Sequence, residues 1–287
     1  MKVIKNYQND KTLRDSFNAL AQKIFCLNFE DWYQNGFWTD NYIPYSVVEN
    51  DRVVSNISVN RCDMEWDGEV LHLIQLGTVM TDPEYRGRGY SRLLMEEILR
   101  DYAGRIDGIY LFANDTVLDF YPKFGFRKRS EYQYSKNVPQ VNAPSAQKVP
   151  MDTPDDWQKM VEIIDTYHQI GRLNMVGNPG LIMFYLSSFM KENVYSIPAL
   201  ETYAVAEKED GELRLYAVFS KKSVELDDVI RAFGSDVSKV TLTFTPVNAE
   251  GYVKQEIQVE DTTLFVQGEA FERMNAISFM FPEISHA

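Results

Sequence analysis

Val79-Met80-Thr81-Asp82-Pro83-Glu84-Tyr85-Arg86-Gly87-Arg88-Gly89-Tyr90-Ser91 is the stretch on which the fold assignment turns. A β-rich run ends in it, two glycines and two arginines alternate at its centre, and a helical pattern begins directly after it. Glycine lets a backbone turn tightly and approach a ligand closely, and a helix starting there aims unpaired N–H groups and its positive dipole end at that ligand. A loop of this kind between a strand and a helix suits a pyrophosphate, with Arg86 and Arg88 adding charge. There is no GxxxxGK[ST], and no GxGxxG with a later acidic ribose ligand, so nucleotide hydrolysis and dinucleotide binding drop out.

Working outward, Leu94, Ile98 and Tyr102 share one face of a helix over Arg92–Tyr102, which Gly104 stops. Ile109–Ala113 is a short apolar run expected as a buried strand. Asn114, Asp115 and Thr116 then open a brief helix through Tyr121, limited by Pro122 and Gly125. Upstream, Leu13, Phe17, Leu20, Ile24 and Leu27 mark an amphipathic helix over Thr12–Leu27. The aromatic stretch Phe29–Tyr45 is either core or the wall of a pocket, where rings would attract an ammonium. Runs at 45–49 and 52–59 flank a turn at Asn50-Asp51, and Asp67-Gly68 leads into a third run at 70–79, an antiparallel meander.

Residues 138–154, rich in proline and small polar residues, are expected as a linker between domains 1–137 and 155–287. The second half again begins with a helical pattern, from Trp157 to Tyr167. A hairpin follows, with runs at 203–207 and 213–219 about Asp210-Gly211, echoing 45–49 and 52–59. Val240–Phe244 reads as a later strand with no Gly/Arg-rich turn before it, as in a repeat that has lost its ligand loop. Asn174–Gly180 is expected to connect helices.

A chain of 287 residues exceeds the usual size of one core, and with 45% hydrophobic and 25% charged residues both halves are expected to fold. The net charge of −13 argues against nucleic acid as a partner and leaves room for a cationic substrate. No apolar run is long enough to cross a bilayer and no secretion signal opens the sequence, so no membrane partner and a cytoplasmic location are expected. The two cysteines, Cys26 and Cys62, lack CxxC spacing and are expected as reduced thiols, with no metal site.

Arg86-Gly87-Arg88-Gly89-Tyr90-Ser91 resembles the acyl-CoA signature of the GNAT superfamily, Gln/Arg-x-x-Gly-x-Gly/Ala, with Ser91 in place of Gly or Ala. Asn114-Asp115-Thr116-Val117-Leu118-Asp119-Phe120-Tyr121-Pro122-Lys123-Phe124-Gly125-Phe126 is similar to that family's second block, Asn-x-x-Ala-x-x-Phe-Tyr-x-x-x-Gly-Phe, with Val117 in place of Ala. The resemblance implies an α+β GNAT fold, a mixed and largely antiparallel twisted sheet flanked by helices, followed by a degenerate GNAT-like α+β domain. It implies acetyl-CoA as cosubstrate, its pyrophosphate held by Arg86, Gly87, Arg88, Gly89, Tyr90 and Ser91. The pantetheine arm would lie along Val79, Met80 and Thr81 beside Asn114.

Acyl transfer to an amine needs an acid for the departing thiolate, and Tyr121, a phenol still protonated at neutral pH, is the candidate. For the base, His72, Glu30, Asp31, Asp40, the C-terminal carboxylate and water stay open. The two-domain pattern resembles the enhanced-intracellular-survival-like acetyltransferases, which add a sterol-carrier-like third domain and use a C-terminal carboxylate as base. At 287 residues, the present sequence is expected to be too short for that domain. The expected acceptor is a small cationic amine, with a protein amine or a sensor without turnover as alternatives. The second domain would shape the acceptor side or support a homo-oligomer.

Overall fold

The computed structural model describes residues 2–139 and 145–287. Part of the expected linker, 140–144, lies outside the described residues. The chain opens with β1 (Lys2–Lys5), α1 (Lys11–Phe25) and α2 (Glu30–Gln34), then β2 (Tyr42–Glu49) and β3 (Arg52–Arg61). Asn50 and Asp51 both take positive φ, 49° and 59°, the backbone a two-residue hairpin needs to match strand twist. Asp67-Gly68 turns the same way between β4 (Met64–Trp66) and β5 (Glu69–Leu71). Next come β6 (Leu73–Thr81), α3 (Tyr90–Tyr102) and β7 (Gly108–Ala113). The brief helix expected after Asn114 is instead two 3-10 turns, Asp115–Val117 and Tyr121–Phe124. Pro122 at the second turn cannot donate the hydrogen bond that continuous α-helix would require of it.

Then follow β8 (Arg127–Lys128), β9 (Tyr132–Asn137), β10 (Gln147–Lys148), α4 (Pro154–Thr166), β11 (His168–Gln169), β12 (Leu173–Met175) and α5 (Pro179–Leu186). The stretch 174–180 therefore connects a strand to a helix, not two helices. The last elements are β13 (Val194–Ile197), β14 (Thr202–Glu209), β15 (Glu212–Ser220), α6 (Leu226–Arg231), β16 (Lys239–Leu242), β17 (Val253–Glu256), β18 (Thr263–Gln267) and α7 (Glu269–Arg273).

One large sheet runs β1-β2-β3-β6-β7-β18-β8 and a second β10-β13-β14-β15-β16-β9-β17, and a small third sheet, β12-β4-β5, joins the halves. Taken along these orders, both large sheets pair antiparallel except at the fourth step, where β6–β7 and β15–β16 are parallel. The repeat is thus an α+β unit used twice. By sheet position the β14–β15 hairpin matches β3–β6, not the β2–β3 hairpin that its sequence echoes. The sixth strand of each large sheet comes from the other half: β18 lies between β7 and β8, and β9 between β16 and β17. The expected boundaries at 137 and 155 do not separate the sheets.

A shared core fills the space between the halves, joining Met64, Trp66 and Tyr110 to Leu173, Phe279 and Phe281. A fragment ending at Asn137 would leave the β7 edge open and Tyr121 without Phe265, and unpaired edges of this kind aggregate. It is expected to lack cooperative thermal unfolding by circular dichroism. Addition of residues 145–287 in trans should be required before a sharp transition appears.

The strand that carries the loop parts from its neighbour. β6 pairs with β7 only at Leu73–Gln75, while its other edge stays on β3 through Thr81. Thr78 and Val79 together oppose Ile57, a β-bulge at which Thr78 takes φ 47°. The bulge is held by the hydrogen-bonded pair Tyr42 Oη and Thr78 Oγ1 (2.6 Å) and by Asn56 Nδ2 donating to the Thr78 carbonyl (2.9 Å). A notch opens on the β7 side of residues 76–81. In the second sheet β15 pairs with β16 only at Glu212–Leu215, but there β11 occupies the vacated edge at Phe219 and Ser220. The repeat has lost both the loop and the notch.

Candidate active site

The notch broadens into a cleft of about 1010 Å³ between β6, the α3 N-terminus and the 114–121 turns. Each residue expected to touch cofactor lines it: Val79, Met80, Thr81, Arg86, Gly87, Arg88, Gly89, Tyr90, Ser91 and Asn114, with Tyr121 opposite. Gly87 and Gly89 sit at φ 75° and 79°, and Gly89 is the N-cap of α3 with no side-chain cap bond. The first α3 amides, at Tyr90, Ser91 and Arg92, have no partner within the helix and face this end of the cleft.

Buried Asp82 shapes the turn. Its carboxylate accepts from Lys23 Nζ (3.0 Å) and the Glu84 N–H (3.1 Å) and lies 3.6 Å from Arg52. Burial alone would raise the Asp82 carboxyl, but these partners hold it below its usual range. Tyr90 Oη donates to Glu49, tying the start of α3 to β2. The Arg88 guanidinium lies over the Tyr85 ring (4.5 Å) and donates to the Glu84 carbonyl (3.1 Å), so part of its capacity is already used. Asn114 Oδ1 likewise accepts from the Thr116 N–H (3.0 Å) and hydroxyl (2.7 Å).

Tyr121 is 2% exposed, packed against Phe120, Phe126 and, from β18, Phe265. Its hydroxyl makes no hydrogen bond among the described residues, and burial pushes the phenol up to about 12. It therefore remains an acid at any physiological pH.

Of the base candidates, Ala287 lines the cleft, while the four side chains lie elsewhere. His72 is exposed before the far end of β6, with Nδ1 3.0 Å from Asp63 Oδ2. Glu30 is paired with Arg14 (2.9 Å), which holds its carboxyl below the usual range, and Asp40 accepts from Gln8 (3.1 Å). Asp31 is exposed in α2, and none of the four lines the cleft or the cavity beside it. The aromatic stretch is both core and wall. Phe29, Trp32, Trp38 and Tyr42 are buried, and Phe29, Trp32 and Tyr42 also line a cavity of about 230 Å³ that meets the cleft at Phe25, Thr78 and Ala287.

Sequence reasoning missed α5 and His286 as parts of this cavity. Leu181, Phe184 and Tyr185 of α5 form its far wall, and the His286 ring stacks on Phe112 (3.9 Å). Burial lowers His286 to about 4, so its imidazole is neutral. A Cβ at Gly77 would stand 2.6 Å from the Ala287 carbonyl oxygen, so glycine lets the last residues lie against β6. Only the low hydropathic cost of a His flanked by Ser285 and Ala287 could have hinted at burial there, and that signal is weak.

Residues 11–129 match the acetyltransferase (GNAT) domain family. A stretch of 54 residues is 43% identical to GCN5-related N-acetyltransferase 2, chloroplastic, from Arabidopsis thaliana, covering 18% of the present chain and 21% of that protein. The chain thus spans about a fifth of that relative's length. A conserved Enterococcus faecalis V583 protein of unknown function superposes with TM-score 0.64 at 13% identity, over 95% of this chain and 74% of that one. A GCN5-related N-acetyltransferase from Kribbella flavida gives 0.59 at 17%, over 94% and 71%. Eis1 from Mycobacterium abscessus gives 0.57 at 13%, over 96% and 75%. At these identities the likeness is one of fold, and it extends through both halves.

Proposed function

With residues 11–129 a GNAT acetyltransferase domain, we propose that the chain transfers the acetyl group of acetyl-CoA to the nitrogen of a small primary amine. The observation that carries this reading is the convergence on one cleft of the glycine-bounded α3 N-terminus, the unpaired edge of β6 and the unpartnered hydroxyl of Tyr121.

The three features divide the labour. The α3 amides and Arg86 take the pyrophosphate. The β6 edge over 76–81 pairs with the amides of the pantetheine arm, which lies beside Asn114 and Val117, and backbone N–H groups near the Thr78 bulge receive the charge that develops on the thioester oxygen. The amine nitrogen, entering from the aromatic cavity, attacks the carbonyl carbon. As the C–S bond breaks, Tyr121 gives its proton to the sulfur and regains one from solvent, while the extra proton on nitrogen leaves to water. Burial keeps the phenol protonated until the thiolate forms but also makes it a weaker acid, so the transfer follows the negative charge that develops at sulfur. A protein amine as acceptor would need an open groove, and the walled 230 Å³ cavity favours a small molecule.

Thiol release from acetyl-CoA tests the reading. Free thiol is expected only when enzyme, acetyl-CoA and a primary amine are all present; acetyl-CoA binding without turnover on any amine would instead favour a sensor.

A further inference from the structure

We infer that the amine acceptor carries a single hydrophobic body, an arylalkyl or short alkyl group, and not a second ammonium. This rests on the transferase reading and narrows it. The cavity next to the cleft is walled by Phe29, Trp32, Tyr42, Leu181, Phe184 and Tyr185. No Asp, Glu, Lys or Arg side chain lines it among the described residues, although the chain as a whole carries a net charge of −13; its polar groups are Thr78, His286 and the backbone end at Ala287, and Thr78 and Ala287 lie at the mouth shared with the cleft.

The polar ends of these rings are already engaged. Trp32 Nε1 donates to the Gly180 carbonyl (2.7 Å), Tyr42 Oη is paired with Thr78 (2.6 Å), and Tyr185 Oη donates to the His286 carbonyl (2.7 Å). What faces the cavity is ring and methyl surface. Phe29 and Phe184 stack at 5.5 Å, with Trp32 edge-on to Phe184 at 5.7 Å. The volume, about 230 Å³, is below the ~300–1,000 Å³ typical of drug-sized ligands and fits one ring on a short arm.

Two consequences follow from the chemistry of the walls. A polyamine or aminoglycoside would have to bury a second ammonium among the rings, away from the mouth, with no charged side chain beside it, which is costly even against aromatic faces. A monoamine with an apolar body pays no such penalty, and desolvation at the mouth of the cavity lowers its own pKa toward the neutral form that attacks. The low polarity of the aromatic walls therefore favours the nucleophilic state of the amine.

The test is a panel of phenethylamine, hexylamine, 1,5-diaminopentane, spermidine and an aminoglycoside, read by thiol release with kcat/KM for each. Calorimetric titration of phenethylamine into the CoA-saturated protein runs alongside. Phenethylamine and hexylamine are expected to exceed the polycations by about 100-fold or more in kcat/KM. Their kcat/KM should climb with pH up to the pKa of the free amine. Phe184→Asp, on the half-buried face of α5, should lower phenethylamine and raise 1,5-diaminopentane while acetyl-CoA affinity stays unchanged. Preference for the polycations by the unaltered protein overturns the inference and leaves the transferase reading intact. Phenethylamine binding without turnover keeps the assignment of the cavity and removes the transferase; absence of both binding and turnover overturns the inference.

Discussion

Replacing Gly89 by aspartate is expected to leave the protein folded and to weaken acetyl-CoA binding by about 100-fold or more, about 3 kcal/mol. Two effects of the substitution have opposite signs for the protein and its ligand. For the helix, aspartate is among the best N-cap residues and tolerates positive φ better than most, and a Cβ at Gly89 meets nothing within 4 Å. The conformational penalty at φ 79° is about 1 kcal/mol and is partly offset by capping. For the ligand, the new carboxylate takes up the α3 amides and places a negative charge where the pyrophosphate would lie. Calorimetric titration with acetyl-CoA, beside a thermal melt, separates the two. An unshifted affinity would remove the phosphate role from the 86–91 turn.

Tyr121→Phe is expected to lower kcat by about 10²–10⁴-fold, the range for loss of a positioned acid, with little change in acetyl-CoA affinity. The hydroxyl has no protein partner to orphan, and the ring would keep its contacts with Phe120, Phe126 and Phe265. Stability should therefore move by less than about 0.5 kcal/mol, so lost activity could not be ascribed to lost fold. Because burial holds the phenol near 12, the unaltered enzyme should show no fall in rate from tyrosine ionisation below about pH 11. A rate unchanged in Tyr121→Phe would move the acid elsewhere, to solvent first.

The cleft between β6, α3 and the 114–121 turns was legible in the sequence because it is built from local rules. Asn50-Asp51, Asp67-Gly68 and Asp210-Gly211 each announce a two-residue turn, and each forms one. Gly87 and Gly89 announce the cradle, and the turn after Asn114 brings Tyr121 to it. The relation of the halves was less legible, because strand partners are chosen across long separations. Nothing near 263–267 says that it will pair with 109–113, or near 132–137 that it will pair with 239–242.

The acceptor side shows the same division. Phe29–Tyr45 is rich in aromatic residues, but whether those rings face a cavity depends on α5 and His286, far along the chain. The four side chains weighed as bases stay outside the cleft for a physical reason, while Ala287 lines it. Glu30 and Asp40 serve partners of their own fold, and His72 sits between β5 and β6, at the end of β6 opposite the loop.

The most direct measurement is a mass balance on acetyl-CoA, phenethylamine and the protein, with free thiol and N-acetylated amine quantified together over one time course. Equal amounts of the two products, formed only when all three components are present and suppressed in both Gly89→Asp and Tyr121→Phe, are the expected result. Thiol released without N-acetylated amine, or equal product formation by the two variants and the unaltered chain, would contradict it.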